Sequence, residues 1–189
     1  MSTLKAFFDA TKAIVLLGAK TNAACRQEMR DVIGRLADEL DRALMLADSY
    51  LVGTRFSKDD KELIQYLEGA NRKLTGTFLE HHICAGLYHL ADKFKQVFDP
   101  TRFSVSISSY REVPELIAHL RNGERAVLDD LDEIAQELAD YSYKLAAAGP
   151  QGAEPIKTAL FDAVEYHRLE LAKRRKKIKS LRRRVIDAL

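Results

Sequence analysis

Apolar residues recur along this chain at alternating spacings of four and three. From residue 113 the series runs Val113, Ile117, Leu120, Glu124, Val127, Leu131, Ile134, Leu138, Tyr141, Leu145. A second runs Leu160, Val164, His167, Leu171, Arg174, Ile178, Leu181, Val185, Ala188. Earlier in the chain come Ile33, Leu36, Leu40, Ala43, Ala47, and then Leu63, Leu67, Ala70, Leu74, Thr77, His81, Cys84, Tyr88, Ala91. A sustained seven-residue repeat keeps one helical seam buried and implies left-handed, coiled-coil-like packing.

Four breaks separate these runs. Gly18 ends a first short segment and Thr21-Asn22 caps the next; Gly53 leads to Ser57, a suitable N-cap. Asp99-Pro100 opens a loop reaching about Tyr110, and Gly149-Pro150-Gln151-Gly152 precedes Pro155, which suits a first helical turn. The pattern predicts an all-α fold in one domain over residues 1–189. A short helix at about 3–18 precedes long helices at about 22–53, 58–98, 112–148 and 154–188. Short connections between long helices favour antiparallel neighbours. The expected architecture is an elongated antiparallel up-down four-helix bundle carrying the short extra N-terminal helix.

Composition agrees. The 189 residues are 47% hydrophobic and 31% charged, with 4 Pro, 9 Gly and no Trp, which excludes collagen, low-complexity disorder and most β-sandwiches. No apolar stretch approaches the roughly 20 residues of a membrane helix. Ala13–Ala19 is apolar, but Asp9, Lys12 and Lys20 flank it and it is short for a secretory signal. Ala23-Ala24-Cys25 has Asn22 where a lipoprotein signal wants an apolar residue. The mature chain is expected to start near Met1 and to reside in a reducing cytoplasm, with both thiols free.

Charge changes the picture most. Residues 168–184 hold ten cations against one carboxylate, Glu170, a charge of +9; the whole chain is +2, so the remainder is −7. Ile178, Leu181 and Val185 would attach this helix along its seam. Lys173, Arg175, Lys176, Lys177, Lys179, Arg182, Arg183 and Arg184 are then the candidate residues for docking an anionic partner. Internal pairing competes, because Asp129, Asp130, Asp132 and Glu133 fall level with Lys173 and Glu170. The expected partner is an acidic protein surface. Nonspecific contact with nucleic-acid phosphates is the alternative, since no aromatic residue is interleaved for base stacking and no base-reading motif is present. A membrane surface fits poorly, because the helix's apolar seam is committed to the bundle. A homodimer stays open.

Candidate chemistry is sparse. His81, Glu124, His167 and Arg174 interrupt the apolar seams, and buried polar groups require partners. Turn positions place Glu124 level with Gly86 and with Ile178, and Cys25 also level with Gly86. Cys25, His81, Cys84 and Glu124 could therefore share a layer. Thiolate, imidazole and carboxylate are zinc ligands, so this layer is the alternative, metal-binding reading, as a sensor or a metal-dependent enzyme. The simpler reading is a polar core layer in which Glu124 pairs with Arg174. The run His81-His82-Ile83-Cys84-Ala85-Gly86-Leu87-Tyr88 resembles the Cys-containing motif of chemoreceptor zinc-binding bundles over eight residues. It departs in the position of Gly86, in Tyr88 where Trp is expected, and in lacking the companion histidines, so no ligand is carried over.

The Glu-x-x-His pairs of di-iron bundles, the Arg–His spacing of HEPN-type helical RNases, Gly-rich phosphate loops and His-Glu-x-x-His are all missing from the sequence. His82, His89, His119 and His167 read as solvated or hydrogen-bonded structural residues. Phe103–Ser108 alternates with period two and suggests a short extended segment or a loop covering the bundle's end. Leu4, Phe7, Phe8, Ala13, Ile14, Leu16 and Leu17 make the first helix a lid or, if it detaches, the inserting element of a membrane-active bundle. The expectation is a non-enzymatic interaction or regulatory module without a cofactor.

Overall fold

The computed structural model describes residues 16, 22–75 and 107–189; in the last stretch its side chains are those of 129–149 and 152–189. Among the described residues the chain is all-α, with no strand. The elements are α1 (Ala23–Gly53), a 3-10 turn at Thr54–Phe56, α2 (Asp60–Glu68), α3 (Ala70–Leu74) and α4 (Ile107–Ala188). Of the expected first helix only Leu16 is described, and it is helical and exposed. Of the period-two run, Ile107 and Ser108 are the first residues of α4; residues 103–106 lie outside the description.

Local chemistry sets the element ends. Asn22 Oδ1 accepts the Cys25 N–H at 2.9 Å and starts α1. Asp59, rather than the expected Ser57, caps α2. Its Oδ1 accepts the Glu62 N–H at 2.8 Å, and Glu62 Oε2 accepts the Lys58 N–H at 2.6 Å. The longer Glu62 side chain, three residues after Asp59, reaches back to the backbone just before the cap, whereas Ser57 takes an extended backbone closing the 3-10 turn. Inside α4, Gly149 has φ 63° and ψ −178°, a conformation only glycine adopts readily, and it divides α4 into two arms.

The chain forms two compact units. Among the described residues, the first contains 16, 22–41, 107–127 and 176–189, and the second 42–75 and 128–175. In the second unit the two arms of α4 run antiparallel. Arg174 pairs with Asp130, His167 Nε2 meets Glu137 Oε2 at 2.6 Å, and the Tyr141 hydroxyl donates to the Ala159 carbonyl at 3.3 Å. The half-buried Arg174 therefore takes Asp130 as its carboxylate, where the sequence offered Glu124. Arg168 reaches Asp48 at 2.9 Å and Arg55 reaches Glu165 at 3.1 Å, so α1 lies antiparallel to the second arm here. Leu44, Leu51, Leu67, Leu74 and Leu131 are fully buried.

Two tyrosines clasp α1 to α2. The Tyr66 hydroxyl donates to the Tyr50 carbonyl at 2.9 Å, the Tyr50 hydroxyl donates to the Tyr66 carbonyl, and the rings stack with centroids 4.6 Å apart. The Tyr66 carbonyl also accepts the Gly69 N–H at 3.2 Å, which marks the tightening between α2 and α3. Burial pushes both hydroxyls above the ordinary tyrosine range, and for Tyr50 the neighbouring Tyr66 adds to the shift.

In the first unit α1 runs antiparallel to the end of α4. The buried apolar residues are Cys25, Met29, Val32, Ile33, Ala37 and Leu40 on α1, with Ile178, Leu181, Val185 and Leu189 at the chain's end. Arg30 Nε donates to the Ile186 carbonyl at 3.3 Å. That register puts Cys25 toward the chain's end rather than level with Ile178, as turn positions had suggested. No helix among the described residues is long and apolar enough to cross a membrane.

Candidate anion-docking surface

The basic run begins in the second unit. There Lys173 Nζ meets Glu170 Oε1 at 2.7 Å, and this hydrogen bond raises the lysine's pKa. Arg175 is half-buried and is also engaged. The other six candidates, Lys176, Lys177, Lys179, Arg182, Arg183 and Arg184, lie together in the first unit on the last three turns of α4.

Burial of Ile178, Leu181 and Val185 fixes which way those turns face. At 3.6 residues per turn, positions 176, 180, 183 and 187 lie opposite that seam and 177 and 184 lie on the flank away from α1; these six make up the outer face. All six are exposed. Residues 179 and 182 fall on the flank toward α1, where carboxylates meet them. Lys179 Nζ is 3.3 Å from Asp41 Oδ2, and Arg182 Nη1 is 2.9 Å from Asp38 Oδ1. Each pair is one turn from the other on both helices. Arg183 contacts Asp187 within its own helix at 3.8 Å, with side chains 86% and 68% exposed, a pairing that water largely screens.

Lys176, Lys177 and Arg184 take part in none of the ion pairs among the described residues. The stripe is thus divided. Its α1 flank is neutralised within the molecule, and its outer face keeps its charge. Asp38 and Asp41, not the expected Asp129–Glu133, supply the carboxylates for this flank. The usable signal was an acidic i, i+3 pair on α1 matching the basic i, i+3 pair Lys179 and Arg182.

Beside this face is an open groove of about 850 Å³. Three arginines, Arg30, Arg35 and Arg182, line it together with three aspartates, Asp31, Asp38 and Asp187. Gly34 lies under the Arg182 side chain: a methyl group there would sit 3.6 Å from the guanidinium, in ordinary contact. The groove is balanced in charge; the outer face is not.

The metal-layer candidates are described only in part. Cys25 is fully buried in the first unit. His81 and Cys84 lie outside the described residues, and of Glu124 only the helical backbone is described. Among the described residues no three His, Cys, Asp or Glu side chains are grouped to hold a metal ion. His167 has Glu137 as its partner.

A scan against protein-family models found no match, and searches of curated proteins and of solved structures found none either.

Proposed function

We propose that this protein is a non-enzymatic interaction or regulatory module whose basic C-terminal helix docks an anionic partner. One observation carries the reading. Lys176, Lys177 and Arg184 stand exposed and, among the described residues, without ion pairs on a helix whose apolar seam is buried, while neighbouring Lys179 and Arg182 are already matched by Asp41 and Asp38. An anion meeting these three cations displaces none of the described carboxylates, so its Coulomb attraction is available to the complex. The fold that goes with this function is the antiparallel up-down four-helix bundle. The buried four-three seams and the antiparallel ion pairs within each unit support it.

Charge reversal tests the proposal. The variant Lys176→Glu, Lys177→Glu, Arg184→Glu should lose capture of the partner from lysate at low salt while its helical circular dichroism is unchanged. Wild-type capture should weaken as salt is raised. Capture that persists in the folded variant would overturn the proposal.

A further inference from the structure

We infer that the partner of the outer basic face is the phosphodiester backbone of double-stranded nucleic acid, bound without sequence preference. This rests on the docking function proposed above and names its ligand. The cluster centred on Ser180 over the last three turns of α4 consists of Lys176, Lys177, Ser180, Arg183, Arg184 and Asp187, all exposed. It contains no apolar or aromatic side chain. A protein partner of moderate affinity ordinarily needs a desolvated apolar or aromatic centre in its interface, with charge confined to the rim. A nucleic-acid backbone needs the reverse, a polar and strongly positive surface. The outer face has the second composition and lacks the first.

Ser180 sharpens the assignment. On a helix its surface neighbours lie three and four residues away in each direction. Here all four are cationic: Lys176, Lys177, Arg183 and Arg184. The hydroxyls of Ser49 and Ser142 turn back to the carbonyls of Met45 and Ala139. The exposed Ser180 hydroxyl makes no such bond among the described residues and is free to donate outward. A hydroxyl centred among four cations is a cradle for a phosphate oxyanion, and Lys, Arg and Ser are the side chains that position nucleic-acid backbones. With no aromatic residue on the face, stacking with unpaired bases is unsupported, which leaves the duplex backbone as the ligand. Asp187, 3.8 Å from Arg183 across a contact that water largely screens, lies at the end of the face beyond the four cations.

The test is a binding titration of the full chain with a fluorescent mixed-sequence DNA duplex over a range of salt. Four neutralised phosphates give a slope of about −3.6 in log K against log salt. Arg183→Glu with Arg184→Glu should lower affinity at least tenfold and make the slope shallower by about 1.8. Ser180→Glu, which puts a carboxylate in the cradle, should lower affinity about tenfold, and Ser180→Ala about twofold. A scrambled duplex should bind equally. Parallel titrations use a poly-glutamate peptide and vesicles containing anionic phospholipid. If poly-glutamate or the vesicles bind more tightly than the duplex and need the same residues, the nucleic-acid assignment falls while the docking function stands. If none of the three probes binds at low salt, both fall.

Discussion

At the scale of single residues, the α1–α2 clasp shows how one missing methyl group makes room for a contact. Gly53 lies against the Tyr66 ring; a methyl group there would come within 2.0 Å of the hydroxyl oxygen. Gly53→Ala should push Tyr66 away from the Tyr50 carbonyl and cost about 1–3 kcal/mol, read as a lower urea midpoint with unchanged slope. The same clasp sets a pH limit. Both tyrosine hydroxyls have pKa values raised above 10.0 in the fold by burial. The unfolded chain therefore ionises first. The stability they contribute is intact below pH 10 and is lost as pH rises toward their folded values. Lys157, raised by its hydrogen bonds to Asp60 and Glu154, loses its contribution in the same direction, above its ordinary 10.5. Tyr66→Phe should cost about 1 kcal/mol near neutrality. It should also flatten the alkaline limb of denaturation curves measured across that range; an equally steep limb would assign it to other groups.

Among elements, caps and breaks carry comparable weight. Asp59→Ala removes the acceptor for the Glu62 N–H and should cost about 1 kcal/mol, whereas Ser57→Ala should be nearly neutral, because Ser57 does not cap α2. Gly149→Ala forces a side chain into φ 63°, ψ −178° and should cost about 1–3 kcal/mol in thermal unfolding.

Much of this level was legible in the sequence. The seams Leu131–Ile134–Leu138 and Leu160–Val164–Leu171–Ile178–Leu181–Val185 are buried as the repeat requires, because a side chain on that stripe has nowhere else to go. The pairing of the two α4 arms was legible as well, since one Gly-Pro turn sets it: Asp130 was expected near the level of Lys173 and pairs with Arg174. The placement of α1 against the end of α4 was not. That estimate passed through three connections, and errors of a turn at each accumulate, so Arg30 meets Ile186 and Cys25 lies beyond the level of Ile178. Capping was half legible: of the Thr21-Asn22 pair Asn22 caps α1, whereas α2 is capped by Asp59, two residues beyond the expected Ser57.

For the molecule as a whole, segregation of charge is the property that bears on function. Ten cations crowd into residues 168–184 of a chain whose remainder is acidic, and the fold sorts them. Lys173, Arg174, Lys179 and Arg182 meet Glu170, Asp130, Asp41 and Asp38. Lys176, Lys177 and Arg184 meet none of these carboxylates. The sequence showed the excess but could not show this sorting, because it depends on which helix face looks toward α1 and in what register. Exposed pairs such as Arg182–Asp38 are worth little to stability, and their main effect is to subtract charge from one side of the helix.

Removing equal charge from the two sides measures that sorting most directly. Lys177→Gln with Arg184→Gln and Lys179→Gln with Arg182→Gln each delete two positive charges from the same three turns. Their dissociation constants for a polyanion such as heparin, taken at one low salt concentration with helicity checked, should differ. The outer pair is expected to weaken binding at least fivefold more than the flank pair. Equal losses, or a larger loss from the flank pair, would contradict the division of the stripe into a neutralised side and a docking side.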